Sequence, residues 1–587
     1  MQTIADKLLV MLRQHNGIMK LTVLAKSLGI SKKSAEYWSH YLHEHKVVNL
    51  KYPTNIFADP IIELLSDIDP VDDTFELPKK RSLLQSYSVD IDSVKAKINI
   101  WDVSGNDLPI YDVILPTIGT GTMAMLNSVL LDLSENLPID TLDGTDPKKV
   151  EDQKVFLLSK ARAAVVTKFP DIDSPTIDMF SGLIYHQMYG FGEMEIILGD
   201  DFLEEIAINS SHHPMLVYHK RLGWLETTHY VNNEEETYNF VSQIGRKAGR
   251  EINSLHPIMD AYMPTGDRAA ATLFPVSSSG NTITIRRFSR NPWNLVQLID
   301  PEVNCMSIEI AALLWLAVQY ELNILVAGGT ASGKTSALNA ICSSIPAKQR
   351  ILSIEDTREL ALPSALRKNW VPLSTKNPNA EGQGGISMLD LMVASLRMRP
   401  DRLIVGEVRK KEQAETMFEA MHTGHSVYCT MHADTVAQVQ RRLLEPPLNI
   451  PKSEIEALHL ILVQYRDRRK GMRRMLELAE VLSGNNELEV NYLYRWRPRT
   501  DTFEKANESI RLMEELNMHT GMTPDEMKDE LKEKEKILKW MLDNGVNDVD
   551  SVGKVFGMYY REAAELVRLI NLGKKPEEIF GKIGGKK

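Results

Sequence analysis

The octet Gly328-Gly329-Thr330-Ala331-Ser332-Gly333-Lys334-Thr335 spaces glycines, a lysine and a hydroxyl as a polyphosphate-binding loop requires. Glycines let the backbone curl so that successive N–H groups point inward at an anion, and the following helix adds partial positive charge. Lys334 then reaches the β- and γ-phosphates of a nucleotide, ATP, while the Thr335 hydroxyl takes a place on Mg²⁺. Downstream stands Glu355-Asp356-Thr357-Arg358-Glu359, whose carboxylates emerge from an apolar run. An acid there can orient or deprotonate an attacking water, which makes Glu355 and Glu359 catalytic candidates and Asp356 a candidate for the metal. A second apolar run ends in Gly406-Glu407-Val408-Arg409, with Glu407 placed to hold Mg²⁺ through water. His425 and His432 bracket a third run. His432 leaves its end and can sense a γ-phosphate, whereas a histidine such as His425 is as readily structural.

These residues need a parallel sheet to hold them. The apolar runs 323–327, 350–354, 402–405 and 426–430 alternate with helical stretches, the order of a doubly wound α/β core. The run 336–345 is the helix expected after the phosphate loop. The long apolar stretch 308–327 is interrupted by Glu309, Gln319, Glu321 and Asn323, and reads as a buried helix entering the loop strand, not a membrane span.

With 587 residues, several cores are expected. A net charge of −11 argues against a broadly basic nucleic-acid surface. Cys305, Cys342 and Cys429 form no C-x-x-C pair, so neither a disulfide framework nor a cysteine zinc site is expected. No secretory signal is visible at Met1-Gln2-Thr3-Ile4, and the expected location is cytoplasmic.

Upstream, Gly29 and Ser31 mark the corner of a helix-turn-helix, with a helix over 32–44 and a wing from Val47 to Asn55. This predicts a winged-helix module over 1–60. Lys26, Lys32, Lys33, Lys46 and Lys51 favour DNA, but Glu36, Glu44 and the acidic stretch 63–73 dilute them, and docking to protein is the expectation. A weakly patterned α+β region over 61–178 includes a helix at 155–168. A small α+β domain follows over 179–289, with strands near 206–208, 216–218, 223–225 and 282–288 around a helix at 234–248. Residues 290–293 read as a linker, 294–485 as the nucleotide core, and 486–587 as a charged helical extension opened by the capping box Thr523-Pro524-Asp525-Glu526.

The order of the motifs is itself informative. The phosphate loop, Ile354-Glu355-Asp356-Thr357-x-Glu359-Leu360, Arg399-Pro400-Asp401-x₄-Gly406-Glu407-x-Arg409 and Thr423-Gly424-His425-x₆-His432 resemble the Walker A, Asp box, Walker B and His box of the secretion ATPase superfamily of type II secretion, type IV pili and the archaellum. The resemblance covers roughly 182–482. It implies a RecA-like core, a PAS-like domain before it, and arginines in Gly266-Asp267-Arg268 and Ile285-Arg286-Arg287 that complete the site against the γ-phosphate. Arg268 and Arg286 are the candidates, with Arg287 behind them; a planar, permanently charged fork suits phosphate oxygens. Arg441-Arg442-Leu443-Leu444-Glu445-Pro446-Pro447 and the Asp-Thr form of the Asp box look closest to archaeal filament-assembly ATPases. The resemblance further implies a homo-hexameric ring at the inner face of the cell membrane, driving filament or pseudopilin machinery through a polytopic platform protein. A nucleic-acid-linked motor or regulator that uses the winged helix is the alternative.

Overall fold

Helices Ile4–Gln14, Leu21–Leu28 and Lys32–Glu44 pack on three short antiparallel strands, β1 (Ile18–Lys20), β2 (Val48–Lys51) and β3 (Ile61–Leu64), ordered β1-β3-β2. Leu8, Leu12, Leu21, Leu24, Trp38, Leu42 and Ile62 fill the space between them. Gly29, at φ 67°, ends the second helix in the left-handed conformation that glycine adopts without strain, and the Ser31 hydroxyl accepts the Ser34 N–H at 3.1 Å to start the third. The winged-helix pattern therefore extends past residue 60: β3 is its central strand, fixed there by the burial of Ile62.

The computed structural model describes residues 3–44, 46–53, 59–65, 78, 80–136, 147–169, 172–248, 250–263, 265–287, 292–376, 383–482 and 489–581. The wing turn, the turn cluster at 143–146 and half of the expected linker lie outside them. The chain divides into two units, residues 1–288 and 289–587.

The rest of the first unit is one mixed sheet. Strands β4 (Arg81–Ile91), β5 (Val94–Val103) and β6 (Ile110–Ile114) form a meander, followed by helices Thr120–Asn136, Pro147–Lys168, Ser174–Met188 and Met194–Gly199. Strands β7 (Leu203–Ile208), β8 (Leu216–His219), β9 (Gly223–Thr227), β10 (Ile258–Tyr262), β11 (Arg268–Thr272) and β12 (Thr282–Arg286) complete the order β10-β11-β12-β7-β8-β9-β6-β5-β4. The separation expected at 178 is not structural. It falls inside helix Ser174–Met188, and parallel pairing of Ile110 and Tyr111 with Glu226 and Thr227 joins the two stretches into one sheet.

The second unit carries another nine-stranded sheet. Its strands are β13 (Ile324–Gly328), β14 (Ile351–Glu355), β15 (Trp370–Ser374), β16 (Arg402–Val405), β17 (Ser426–Met431), β18 (Leu460–Asp467), β19 (Met472–Leu482), β20 (Glu489–Arg497) and β21 (Thr502–Lys505). They run in the order β15-β14-β16-β17-β13-β18-β19-β20-β21, parallel as far as β18 and antiparallel beyond it. Both faces of the parallel half are covered, so its strands carry apolar residues toward both: Ile324 and Val326 join one core, Leu325 and Ala327 the other. The helical extension expected from 486 begins later, at Arg511–Thr520, because β20 and β21 still belong to the sheet; Leu493, Tyr494 and Trp496 are buried there.

Helices Pro524–Asp543 and Val549–Asn571 cover Ile308–Gln319, which explains a helix buried from Ile310 to Val318. Trp315 packs its ring against Phe556 and Tyr559 at 4.6 and 4.8 Å. Beside it the fully buried Lys534 donates to Glu530 at 2.7 Å and to the Tyr559 hydroxyl at 2.8 Å. Among the described residues no helix is long and apolar enough to cross a membrane.

Candidate functional site

Parallel strands share a direction, so their C-terminal ends lie along one edge of the sheet. The register makes this concrete: Ile354 pairs with Val405, Val405 with Cys429, and Ala327 with Met431. The glycine-rich loop after β13, Glu355 and Asp356 at the end of β14, Glu407 after β16 and His432 after β17 therefore emerge together. His425 precedes β17 and sits at the opposite edge. Its Nδ1 lies 3.0 Å from the Thr423 hydroxyl and 3.1 Å from the Ala420 carbonyl, closing the end of helix Lys411–His422.

The loop has little freedom to be anything but glycine at its start. Gly328 sits at φ 154°, and a Cβ there would come within 2.4 Å of the Gln464 carbonyl and the Ser332 hydroxyl. Gly333, at φ 93°, leads into helix Lys334–Cys342. Gly329, Thr330 and Ala331 line the outer rim, and Thr335 is half-buried in the first helical turn. The buried Ser332 hydroxyl has no hydrogen-bond partner. Lys334, 9% exposed, turns its ammonium back to donate to the Gly329 carbonyl at 2.9 Å, with His432 Nδ1 at 3.3 Å.

From Lys334 a chain of charged contacts crosses the edge. His432 Nε2 meets Glu407 at 3.1 Å, Glu407 accepts from Arg409 at 2.6 Å, and Arg409 reaches Asp356 at 3.1 Å. An ammonium can only donate, so His432 accepts at Nδ1 and carries its proton on Nε2, facing Glu407. Burial and the nearby Lys334 both hold the imidazole below its ordinary pKa, in keeping with this neutral tautomer.

Glu355 differs from the other acids. It is 2% exposed, one carboxylate oxygen accepts the N–H groups of Glu359 and Leu360 at 2.8 and 3.0 Å, and the other has no hydrogen-bond partner. Burial pushes its pKa up to about 7 against the two hydrogen bonds. Gly406 permits the approach of β16, since a Cβ there would sit 3.3 Å from the Glu355 Cα and Cγ. Glu359 supplies backbone to Glu355, and its own side chain is half-buried on the following loop.

In the first unit, Arg268, Arg286 and Glu205 stand directly opposite one another across β11, β12 and β7. Arg268 grips Asp260 with two parallel hydrogen bonds at 2.8 and 2.6 Å, and Arg286 is exposed. Arg287 is of another kind: its side chain is 4% exposed and donates to the carbonyls of Asp200 and Leu203, a structural anchor.

Four residues near the loop received no role from sequence. Arg409 lies within a quoted motif, yet its bridging of two acids depends on tertiary geometry. Asp434 and Arg442 join Gly329, Thr330, His432 and Arg441 around a cavity of about 350 Å³, and Arg473 touches the loop from β19. The only signal for Arg473 is the density of cations from Arg466 to Arg474 in an acidic chain.

The donor set suits a magnesium nucleotide. Ser332 offers an unpartnered buried hydroxyl, and Thr335, Glu407 and Asp356 are hard oxygen ligands. Among the described residues no three His, Cys, Asp or Glu side chains form a group that could by itself hold a metal ion.

Residues 251–469 match the family described as type II/IV secretion system protein. The uncharacterized protein MJ0900 of Methanocaldococcus jannaschii is 32% identical over 397 residues, 66% of this chain and 71% of that one. The type IV secretion system protein PtlH of Bordetella pertussis is 31% identical over 261 residues, 41% of this chain and 76% of its own length. Among solved structures, the Legionella pneumophila ATPase DotB aligns over 65% of this chain and 95% of its own, at 17% identity and a TM-score of 0.36. With the family's pattern matched over residues 251–469 and PtlH 31% identical over 76% of its own length, the chain belongs to the type II/IV secretion system family.

Proposed function

We propose that this protein hydrolyses ATP with Mg²⁺ as a homo-hexameric ring that powers assembly of a type IV pilus-like or archaellum-like filament, or type II secretion. It acts through a polytopic platform protein on the cytoplasmic face of the membrane. The observation that carries hydrolysis is Glu355, a buried carboxyl poised near neutral pH with one oxygen unpartnered, on the same edge as the phosphate loop. In this reading Lys334 exchanges the Gly329 carbonyl for phosphate oxygens. Glu355 orients the water and takes its proton, aided by Glu359, and neutral His432 reports on the γ-phosphate. Mg²⁺, when bound through Thr335, Glu407 and Asp356, neutralises charge developing on the phosphates. Arg268 and Arg286 bring further positive charge from the upstream domain.

The test is nucleotide binding and turnover of three variants. Lys334→Ala loses nucleotide, Glu407→Gln binds ATP but turns it over slowly, and Arg268→Ala loses rate more than affinity. Near-normal turnover in the first two sinks the assignment. Sedimentation with ATP reads the ring, and a monomer under those conditions rejects it. The three-stranded winged-helix module supports the second reading. Strong stimulation of turnover by DNA at moderate salt favours that reading over the filament motor.

A further inference from the structure

We propose that Arg473 is a phosphate-binding residue of the same nucleotide site, contributed in cis by β19 and acting on the α- and β-phosphates. This rests on the reading of the loop as a nucleotide site. Because β18 pairs in parallel with β13, the β18–β19 hairpin turns at the edge from which the phosphate loop emerges. Gly471, at φ 66°, shapes that turn. From it Arg473 lies across the loop: its Nε donates to the Ala331 carbonyl at 3.1 Å, and its Cδ is 3.4 Å from where a Cβ on Gly333 would stand. The backbone N–H groups of such a loop cradle the α- and β-phosphates. The Nε contact fixes the guanidinium plane there, and the fork beyond Nε has the geometry that matches phosphate oxygens.

The neighbouring residue shows what a purely structural arginine looks like. Arg474 is buried, holds both oxygens of Asp501 at 2.7 Å and donates to the Val303 and Arg473 carbonyls. Arg473, one residue earlier, points to the opposite face of the strand and toward the loop. It stands directly across from Arg466 in the β18–β19 ladder. The hairpin concentrates Arg466, Arg468, Arg469, Lys470, Arg473 and Arg474 in a chain of net charge −11.

The experiment titrates ADP and a non-hydrolysable ATP analogue into the full chain by calorimetry, in wild type, Arg473→Ala, Arg473→Lys, Lys334→Ala and, as a control, Arg469→Ala. Loss of a hydrogen-bonded charge predicts about 10- to 100-fold weaker binding of both nucleotides by Arg473→Ala. Lysine restores part of it, the salt dependence flattens, and the melting temperature holds. Equal affinity in wild type and Arg473→Ala, with Lys334→Ala losing binding, overturns this proposal and leaves the site itself intact. A selective loss of the ATP analogue also overturns it, because the contact then lies on the γ-phosphate. Weakened binding that tracks a falling melting temperature without rescue by lysine assigns Arg473 to structure alone. A wild type that binds neither nucleotide rejects the site and this inference together.

Discussion

Two of the polar clusters buried in the second unit are built on opposite principles. Around Lys534 the charge is enclosed: Glu530 and Tyr559 accept its hydrogen bonds, and the rings of Trp315 and Tyr559 stand 5.1 and 4.5 Å from the ammonium. Glu530 is shared in turn with Gln319 and Tyr320, and only the Gln319 oxygen is left over. At the sheet edge the opposite holds. Ser332 and one oxygen of Glu355 are buried without partners, and Lys334 rests on a backbone carbonyl. A buried polar group left unmatched costs free energy, so a fold tolerates it where something else repays the loss. The Lys534 cluster is satisfied within its own layer, whereas the edge cluster leaves buried polar atoms unmatched, as the proposed nucleotide site requires.

The sharpest way to break this comparison is Glu355→Gln. As a general base it accounts for about 10²- to 10⁴-fold of rate, and steady-state turnover should fall by that order while nucleotide still binds. The same variant carries a stability signature. The carboxyl titrates near 4.5 when unfolded and near 7 when folded, so the native state holds its proton more tightly. Wild-type stability therefore declines as pH rises from about 4.5 to 7, and glutamine should raise the melting temperature at pH 8 but not at pH 4. No pH-dependent gain removes Glu355 from the edge cluster's unmatched set.

Lys534→Met should have the reverse profile. Removing one partner of a buried pair costs about 3 kcal/mol, read as a lowered denaturation midpoint, with nucleotide affinity unchanged. Adding Glu530→Gln should recover part of the loss. A fall in nucleotide affinity in step with stability would merge the two clusters into one. Next in size is the pH–rate profile, where kcat/KM should rise through an apparent pKa near 7 as Glu355 deprotonates, and lose that limb in Glu355→Gln. Smallest is His425→Ala, with about 1 kcal/mol or less of stability and unaltered turnover; a large rate effect would place it with His432.

What sequence discloses here is whatever local backbone chemistry dictates. The loop from Gly328 to Thr335 is readable because its glycines and lysine act within a few residues of one another. Glu355 and Glu407 are readable because each ends an apolar run. His425 and His432 look alike, flanking the same run, and only the direction of β17 separates them. The unity of the first large sheet depends on Ile110 and Tyr111 meeting Glu226 and Thr227, a long-range pairing with no local trace. Strands β20 and β21 carry Glu489, Arg495, Arg497 and Glu504, and their charge disguises strand alternation as a solvated helix. Arg473 acquires its place only from register, which no spacing within the chain reveals.

The strand order has a mechanical corollary. The phosphate loop hangs from β13, and β13 is bonded through β18, β19 and β20 to β21 without a break, so loop and outermost hairpin belong to one cross-linked plate. A pull along the strands loads all the rungs of each ladder together, in shear, rather than peeling them one at a time. A displacement of the loop strand is thus shared by the bonded strands as far as the outermost hairpin.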